Sequence, residues 1–504
     1  MEFELASSSS LTPLVVVLVS SILVLVFMLL KSGKRNSRIP GPRKLPIIGN
    51  LHLLLTTSNP HHLLRDMAAK YGGLMHLQLG QVPFLIVSSV ETAKQVLKTH
   101  DIIFANRPPG FAPEVLTYHY TDVGYAPYGE YWRQLRKICT LELLSAKRVR
   151  SFKPVREEEN WSMVRWFASR EGSPADVSER VFRLAYDVTI RASLGKKTMY
   201  KGTVMTLIRE CSQLGSGIIF VDLFPSIKIL PLITGVQFRV HRIYRIVRAA
   251  FDAIIQERKC KTAADDGLDD LTDVLLKLQQ EGDQLPLTDG NITAVLMDML
   301  IAGSETSAGA VEWAMSELMK NPRILRKVQV EVREVFDKNG YIEEEKLHEL
   351  KYLQLVIKET LRLHPPLPLL VPRMSSQRCE INGYEIPAKT RVLINAWALG
   401  RDPKYWNDDA EEFIPERFAH KTMDYMGNSY EYMPFGSGRR ICPGMSFGLA
   451  NVEFTLATLL YHFDWELPPG IEREDLDMTE EFGATVARKH HLFLVPTLKR
   501  PLHA

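Results

Sequence analysis

Residues Pro434-Phe-Gly-Ser-Gly-Arg-Arg-Ile-Cys-Pro-Gly444 place one thiol, Cys442, in a glycine-rich loop at the mouth of an apolar helix. Glycine lets backbone come close to a flat partner or take φ > 0, the use expected of Gly436, Gly438 and Gly444. Pro443 suits a first helical turn, where a missing N–H costs nothing. The helix is predicted from about Met445 to Phe463. Its N-terminal dipole and free N–H groups face back toward the sulfur and favour a thiolate. Arg440, two residues before the cysteine, can hold an anionic group on the same partner. A thiolate, a flat partner and an anion together point to haem with its propionates.

The spacing of Phe435, Gly438, Arg440, Cys442 and Gly444 matches Phe-x-x-Gly-x-Arg-x-Cys-x-Gly. That string resembles the haem-binding loop of the cytochrome P-450 superfamily. The resemblance implies a mainly α fold with small β-sheets and haem b as cofactor. It makes Cys442 the axial iron ligand and sets Phe435, Gly436 and Gly444 against the haem. A thiolate ligand pushes electron density toward iron and so favours O–O cleavage.

The rest of the chain agrees with one large domain behind an anchor. The chain has 504 residues, of which 45% are hydrophobic and 24% charged, enough apolar side chain for a large core. A net charge of +3 with no basic tail gives no reason to expect a nucleic-acid partner. Five unpaired-looking cysteines fit a reducing compartment. Leu11 to Leu30 carries no charge, and about 20 apolar residues suffice to span a bilayer. Lys31, Lys34, Arg35 and Arg38 follow it, while only Glu2 and Glu4 precede it. The positive-inside rule then predicts a lumenal N-terminus (1–10), a single-pass anchor in the endoplasmic reticulum membrane (11–30) and a cytosolic remainder. A basic, proline-rich hinge (31–50) leads to the haem-thiolate domain (51–504). Periodicity predicts strands at Leu74–Leu79 and Pro83–Val87, then helices at Glu91–Thr99, Tyr128–Leu144, Glu179–Leu194, Val236–Gln256 and Leu268–Glu281. A hairpin is predicted over Cys379–Leu393 around Asn382-Gly383.

The second informative stretch is Thr293 to Asn321, apolar at helical spacing for roughly 30 residues. Asp298, Glu305, Glu312 and Glu317 make it a poor membrane span. Inside it, Gly303 removes a side chain and can admit a ligand close to the backbone. The Thr306 hydroxyl can bond back to the Ala302 carbonyl. Glu305 beside Thr306 is an acid–alcohol pair, the parts of a proton relay. It resembles the family's oxygen-activation motif, where the acid is often Asp.

Further motifs carry the resemblance through the chain. Glu359 and Arg362 share a helix face, and Pro415-Glu-Arg-Phe418 supplies Arg417; the three resemble a buried structural Glu-Arg-Arg triad. Trp132 and Arg136 match a Trp-x-x-x-Arg that contacts a haem propionate, as Arg440 and Arg373 are also expected to do. Arg133, Lys137 and Arg439 flank these motifs and can steer an acidic flavoprotein. By family position, the loop Phe111–Val123, the helix stretch Met297–Gly303, the turn Leu367–Val371 and Phe482–Val486 are expected to line the pocket, with Phe111, Met297, Leu300, Ile301, Ala302, Leu369, Val371, Thr485 and Val486 singled out. An apolar pocket suits a lipophilic substrate.

Met426-Gly-Asn-Ser-Tyr-Glu-Tyr-Met-Pro-Phe-Gly436 and Phe447-Gly-Leu-Ala-Asn-Val-Glu453 look like the plant clade of terpenoid and alkaloid oxidases. The implied activity is a monooxygenase that hydroxylates or epoxidises a terpenoid. Its NADPH electrons would come from a reductase, with cytochrome b5 as a possible second donor. An alkaloid or phenolic scaffold is the alternative substrate. Two other classes stand behind it: a haem-thiolate isomerase or dehydratase that uses no O2, and a non-enzymatic haem binder. The intact acid–alcohol pair speaks against the first, and NADPH consumption with a reductase separates the second.

Overall fold

The computed structural model describes residues 39–500, apart from 196–199, 215–219, 261–268 and 283–285. The expected lumenal segment, membrane anchor and first part of the hinge lie outside the described residues. Among the described residues no helix is long and apolar enough to cross a membrane.

The centre of the molecule is one helix, Asp289–Lys320. Thr288 caps it in a reciprocal box with Asn291, which satisfies donors left open at a helix start. It packs along Val177–Leu194 and crosses Met445–His462. A helix that is apolar on every side belongs in a core. Its four acids beyond the first turn each find a partner inside the protein. Asp298 accepts the amides of Val123 and Gly124, and Glu305 the hydroxyl of Tyr186. Glu312 accepts the hydroxyl of Ser178, and Glu317 bonds the Nε2 of His364 at 2.7 Å.

Leu74–Leu79 and Val82–Val87 form the expected antiparallel pair. Val82–Val87 then pairs in parallel with Arg391–Ile394, which pairs antiparallel with Arg373–Met374. The Asn382-Gly383 turn has φ of 52° and 76° and joins Cys379–Ile381 to Tyr384–Ile386, as the hairpin reading requires. That reading extended the hairpin to Leu393, and there the structure differs. Arg391–Ile394 is buried at every position, so it belongs in the central sheet and not in a ribbon with one wet face.

Two predicted helices end in π-turns. Val90–Lys94 gives way to Gln95–Thr99, closed by the His100 amide on the Gln95 carbonyl at 2.8 Å. Glu130–Ile138 gives way to Cys139–Leu143. Helical periodicity continues through such a turn, so the two are not separable by pattern. The whole is mainly helical with small sheets, as expected.

Candidate active site

A cavity of about 280 Å³ opens between the cysteine loop and the central helix. Cys442 and Thr306 both line it, as do Trp132, Arg136, Arg373, Phe435, Gly436, Arg440 and Gly444. The loop is built by its backbone. Gly436 and Gly438 have φ of 74° and 69°, the left-handed region that costs a side chain most. The Cys442 amide donates to the Phe435 carbonyl at 3.0 Å and closes the loop beneath the sulfur. The following helix starts at Met445, so Pro443 stands just before it. Burial pushes the Cys442 thiol up, against the opposing pull of the Gly444 amide and the Arg136 charge. A metal ion bound there would take that proton off.

Four guanidiniums reach this cavity: Arg107, Arg136, Arg373 and Arg440. Arg440 lies 4.2 Å over the Trp132 ring and donates to the carbonyls of Ala105, Val123 and Ala126. Trp132 Nε1 donates to the Val123 carbonyl at 3.0 Å. Arg136 reaches the Ile441 carbonyl at 2.6 Å, and Arg373 bonds Asp101 and the Ser437 carbonyl. Burial, then the charge of Arg373, pushes Arg440 down to about 9. Arg107 is depressed as well, by burial and then by Arg440 and Arg373. Buried cations that repel one another are stabilised by a bound anion. A thiol facing an apolar cavity rimmed by such cations fits a flat, dianionic iron ligand. The residues present therefore fit haem.

On the central helix the Thr306 hydroxyl donates to the Ala302 carbonyl at 2.6 Å. Glu305 turns the other way, to the buried Tyr186 hydroxyl at 2.9 Å. Gly303 lines the cavity, and it also lets Thr189 and Phe447 pack close: a Cβ there would stand 3.2 Å from Thr189 Cγ2.

Of the residues expected in the pocket, Ala302 and Val371 line the cavity. Met297 and Leu300 are buried on the packed side of the helix, and Ile301 packs against the same core. Leu369 belongs to the core beside the four-stranded sheet. Phe111 opens the short helix Phe111–Leu116, its ring 6.0 Å from His241. Val486 is buried, and its carbonyl accepts Trp313 Nε1 at 3.3 Å; Thr485 sits in the turn before it. From the same expected stretches Val123, Asp298, Met299, Leu367 and Leu370 also line it, and Gly124 adjoins them. Sequence reasoning missed Arg107 as a cavity residue.

The triad is assembled away from the cavity. Glu359 takes a bidentate pair from Arg362 at 2.7 and 2.8 Å, Arg417 Nε at 3.2 Å and the Ile414 amide at 2.8 Å. Arg362 also holds the carbonyls of Gly400, Ala410 and Glu412, so it ties the loop 400–412 to the helix Lys351–Leu363.

Residues 39–495 match the family model described as Cytochrome P450. The chain is 51% identical to desmethyl-deoxy-podophyllotoxin synthase of Sinopodophyllum hexandrum, covering 95% of this chain and 96% of that protein. It is 50% identical to premnaspirodiene oxygenase of Hyoscyamus muticus, covering 96% and 98%. Germacrene A hydroxylase of Barnadesia spinosa is 48% identical, covering 94% and 96%. Among solved structures, a zebra fish cytochrome P450 with progesterone superposes with a TM-score of 0.74 at 24% identity, over 87% of this chain and 99% of that one. This last likeness bears on the fold.

Proposed function

This chain belongs to the cytochrome P450 family, whose members use haem iron and reductase-delivered electrons, and from that premise we propose which residues do the work and on what. It is a monooxygenase. Haem, when bound, supplies the activation of O2 with NADPH-derived electrons, placing one oxygen atom in a C–H or C=C bond and the other in water.

The chain's own residues set the conditions. Cys442 would hold the haem iron through its sulfur. Arg440, Arg373, Arg136 and Arg107 would hold the propionates, with Trp132 bracing Arg440, and Phe435, Gly436 and Gly444 would leave the macrocycle room. Thr306 parks its hydroxyl proton on the Ala302 carbonyl and, on turning from it, donates into the cavity. Glu305, oriented by Tyr186, reloads it. The apolar wall keeps bulk water from the reacting carbon. Glu359, Arg362 and Arg417 brace the fold beneath the loop.

The substrate is a terpenoid. The cavity's few polar groups and the relatives named for premnaspirodiene and germacrene A support this reading. The protein works on the cytosolic face of the endoplasmic reticulum, held by residues 11–30 and served by an NADPH–cytochrome P-450 reductase, with cytochrome b5 as an auxiliary donor. The carrying observation is that Cys442, four guanidiniums and Thr306 open on one largely apolar cavity. Yeast microsomes containing the chain and a reductase, fed terpenes, alkaloids and phenolics, test it. An oxygenated terpene that requires NADPH is expected. Turnover of alkaloids or phenolics alone would overturn the substrate class.

A further inference from the structure

A second group of metal-ligating side chains lies outside the haem cavity. His61 and His62 stand in the first turn of the helix Pro60–Tyr71, and both rings donate through Nε2 to one oxygen of Glu480, Oε2, at 2.7 and 2.9 Å. Glu480 begins the hairpin that pairs Glu480–Phe482 with Val486–Arg488. The ligating atoms of the three side chains lie within 4.8 Å of one another. Their surroundings hold them in place. Trp397 stacks on His62 at 4.1 Å, and Asn395 Nδ2 donates to the His61 carbonyl at 2.8 Å. His61 and Glu480 are buried, while the His62 side chain is 37% exposed and gives access from solvent.

The other oxygen of Glu480 meets a mismatch. His364 is buried, its ring stacked on Trp313 at 4.1 Å and 2°. Its Nε2 bonds Glu317 at 2.7 Å; a carboxylate only accepts, so Nε2 carries the proton and Nδ1 of the neutral ring presents a bare lone pair. Among the described residues that Nδ1 finds no hydrogen-bond partner, and it stands 3.9 Å from Glu480 Oε1. Two buried acceptors facing each other are relieved by a cation between them. An imidazole held by a carboxylate on one nitrogen and open on the other is also how a metal-ligating histidine is oriented. The nitrogen–oxygen separations of 2.7, 2.9 and 3.9 Å bracket the roughly 3.3 Å between two ligands of a tetrahedral zinc with bonds of about 2.0–2.1 Å. Charge agrees as well. Glu480 and Glu317 offset a dication, whereas the nearby Arg401 is already paired with Glu411 at 2.9 Å.

We propose that His61, His62, His364 and Glu480 form a zinc site, with Glu317 holding His364 from behind. The metal replaces the hydrogen bonds now made at Glu480 Oε2. His61 and His62 bind it through Nε2, with the ring proton carried on Nδ1. The site ties the helix Pro60–Tyr71 to the hairpin, whose Val486 amide donates to the carbonyl of Pro366 at 3.0 Å, and Pro366 lines the haem cavity. The metal is thus a clamp on the outer support of the cavity wall.

The test uses the full-chain holoenzyme, treated with EDTA and then dialysed to equilibrium against micromolar zinc, with bound zinc and haem iron counted by elemental analysis. One zinc per haem is expected, and X-ray absorption at the zinc edge should show nitrogen and oxygen neighbours at about 2.0–2.1 Å. His62→Ala changes the most exposed ligand and should weaken zinc at least about tenfold at unchanged haem content. Glu480→Gln keeps the shape of its side chain, removes the charge and should weaken zinc likewise. Zinc should raise the melting temperature of the wild type and leave that of His62→Ala where it was. A wild type that holds no zinc overturns the site and leaves a proton on His364 Nδ1 to fill the gap. Equal zinc in wild type and His62→Ala overturns it too, as do sulfur neighbours at about 2.3 Å, which would put the metal on a cysteine.

Discussion

Gly438→Ala should unfold the cysteine loop, whereas Gly436→Ala should leave it folded. Both residues are left-handed, with φ of 69° and 74°, so each substitution carries the same backbone cost of roughly 1–2 kcal/mol. They differ in what the new methyl meets. At Gly438 it would lie 2.6 Å from the Leu97 carbonyl oxygen and 2.6 Å from Asp101 Oδ1. The first is backbone within a π-turn. The second is fixed by Arg373 and by the Arg439 amide and guanidinium. Neither can yield, so overpacking adds roughly 1–3 kcal/mol. The sum, roughly 2–5 kcal/mol, is a large share of the roughly 5–15 kcal/mol that holds a typical protein folded. At Gly436 a methyl meets nothing within 4 Å and projects at the cavity wall, where the haem face is proposed. Thermal unfolding of the two variants, with haem per protein from a pyridine haemochromogen assay, separates them. Gly438→Ala is expected to melt well below Gly436→Ala, and Gly436→Ala to melt near wild type with reduced haem. Equal melting temperatures would refute the argument that crowding at Asp101 and Leu97 sets the residue choice.

Cys442→Ala should abolish the red-shifted ferrous–CO band, while alanine at Cys139, Cys211, Cys260 or Cys379 should keep it; a band surviving in Cys442→Ala removes the ligand assignment. Thr306→Ala should hold haem and substrate yet release more hydrogen peroxide per NADPH, with Thr306→Ser in between; an unchanged peroxide-to-product ratio takes Thr306 off the proton path. Glu359→Gln leaves two buried guanidiniums without their shared charge and should cost roughly 3–5 kcal/mol, read as lost haem-loaded yield. Wild-type yield from that variant would show the triad to be dispensable. Deleting residues 1–30 should leave a haem-binding protein, because every chemical motif follows the hinge; failure to take up haem at good expression would move the domain boundary.

Much of this arrangement was legible in the sequence because it is carried by local strings. The cysteine loop, the Thr306 back-bond and the Glu359–Arg362 pair each depend on residues within a few positions of one another. The cavity wall was less legible. Helical spacing marks which residues are apolar, but Met297, Leu300 and Ala302 are equally apolar, and only the packing of Val177–Leu194 decides which of them faces the cavity. Arg107 escaped for a related reason. A charged residue announces burial only once its partners are known, and those of Arg107 are the backbone carbonyls of Gly124, Val371 and Pro372. Glu305 illustrates the same point: its neighbour in sequence is Thr306, but the partner its carboxylate bonds is Tyr186, on another helix.

The parallel pairing of Val82–Val87 with Arg391–Ile394 has a consequence for how the protein is made. The two strands are roughly 300 residues apart, which at about 5–20 residues per second of synthesis separates their appearance by roughly 15–60 s. Through that interval the first hairpin waits with one edge unpaired, and every side chain from Phe84 to Val87 is apolar. Exposed, unpaired strands of this kind are where chains join wrong partners. The cysteine loop is made later still. Haem therefore finds its thiol only after the last strands of the sheet have been made. Slow synthesis between residues 88 and 390 should then yield aggregate.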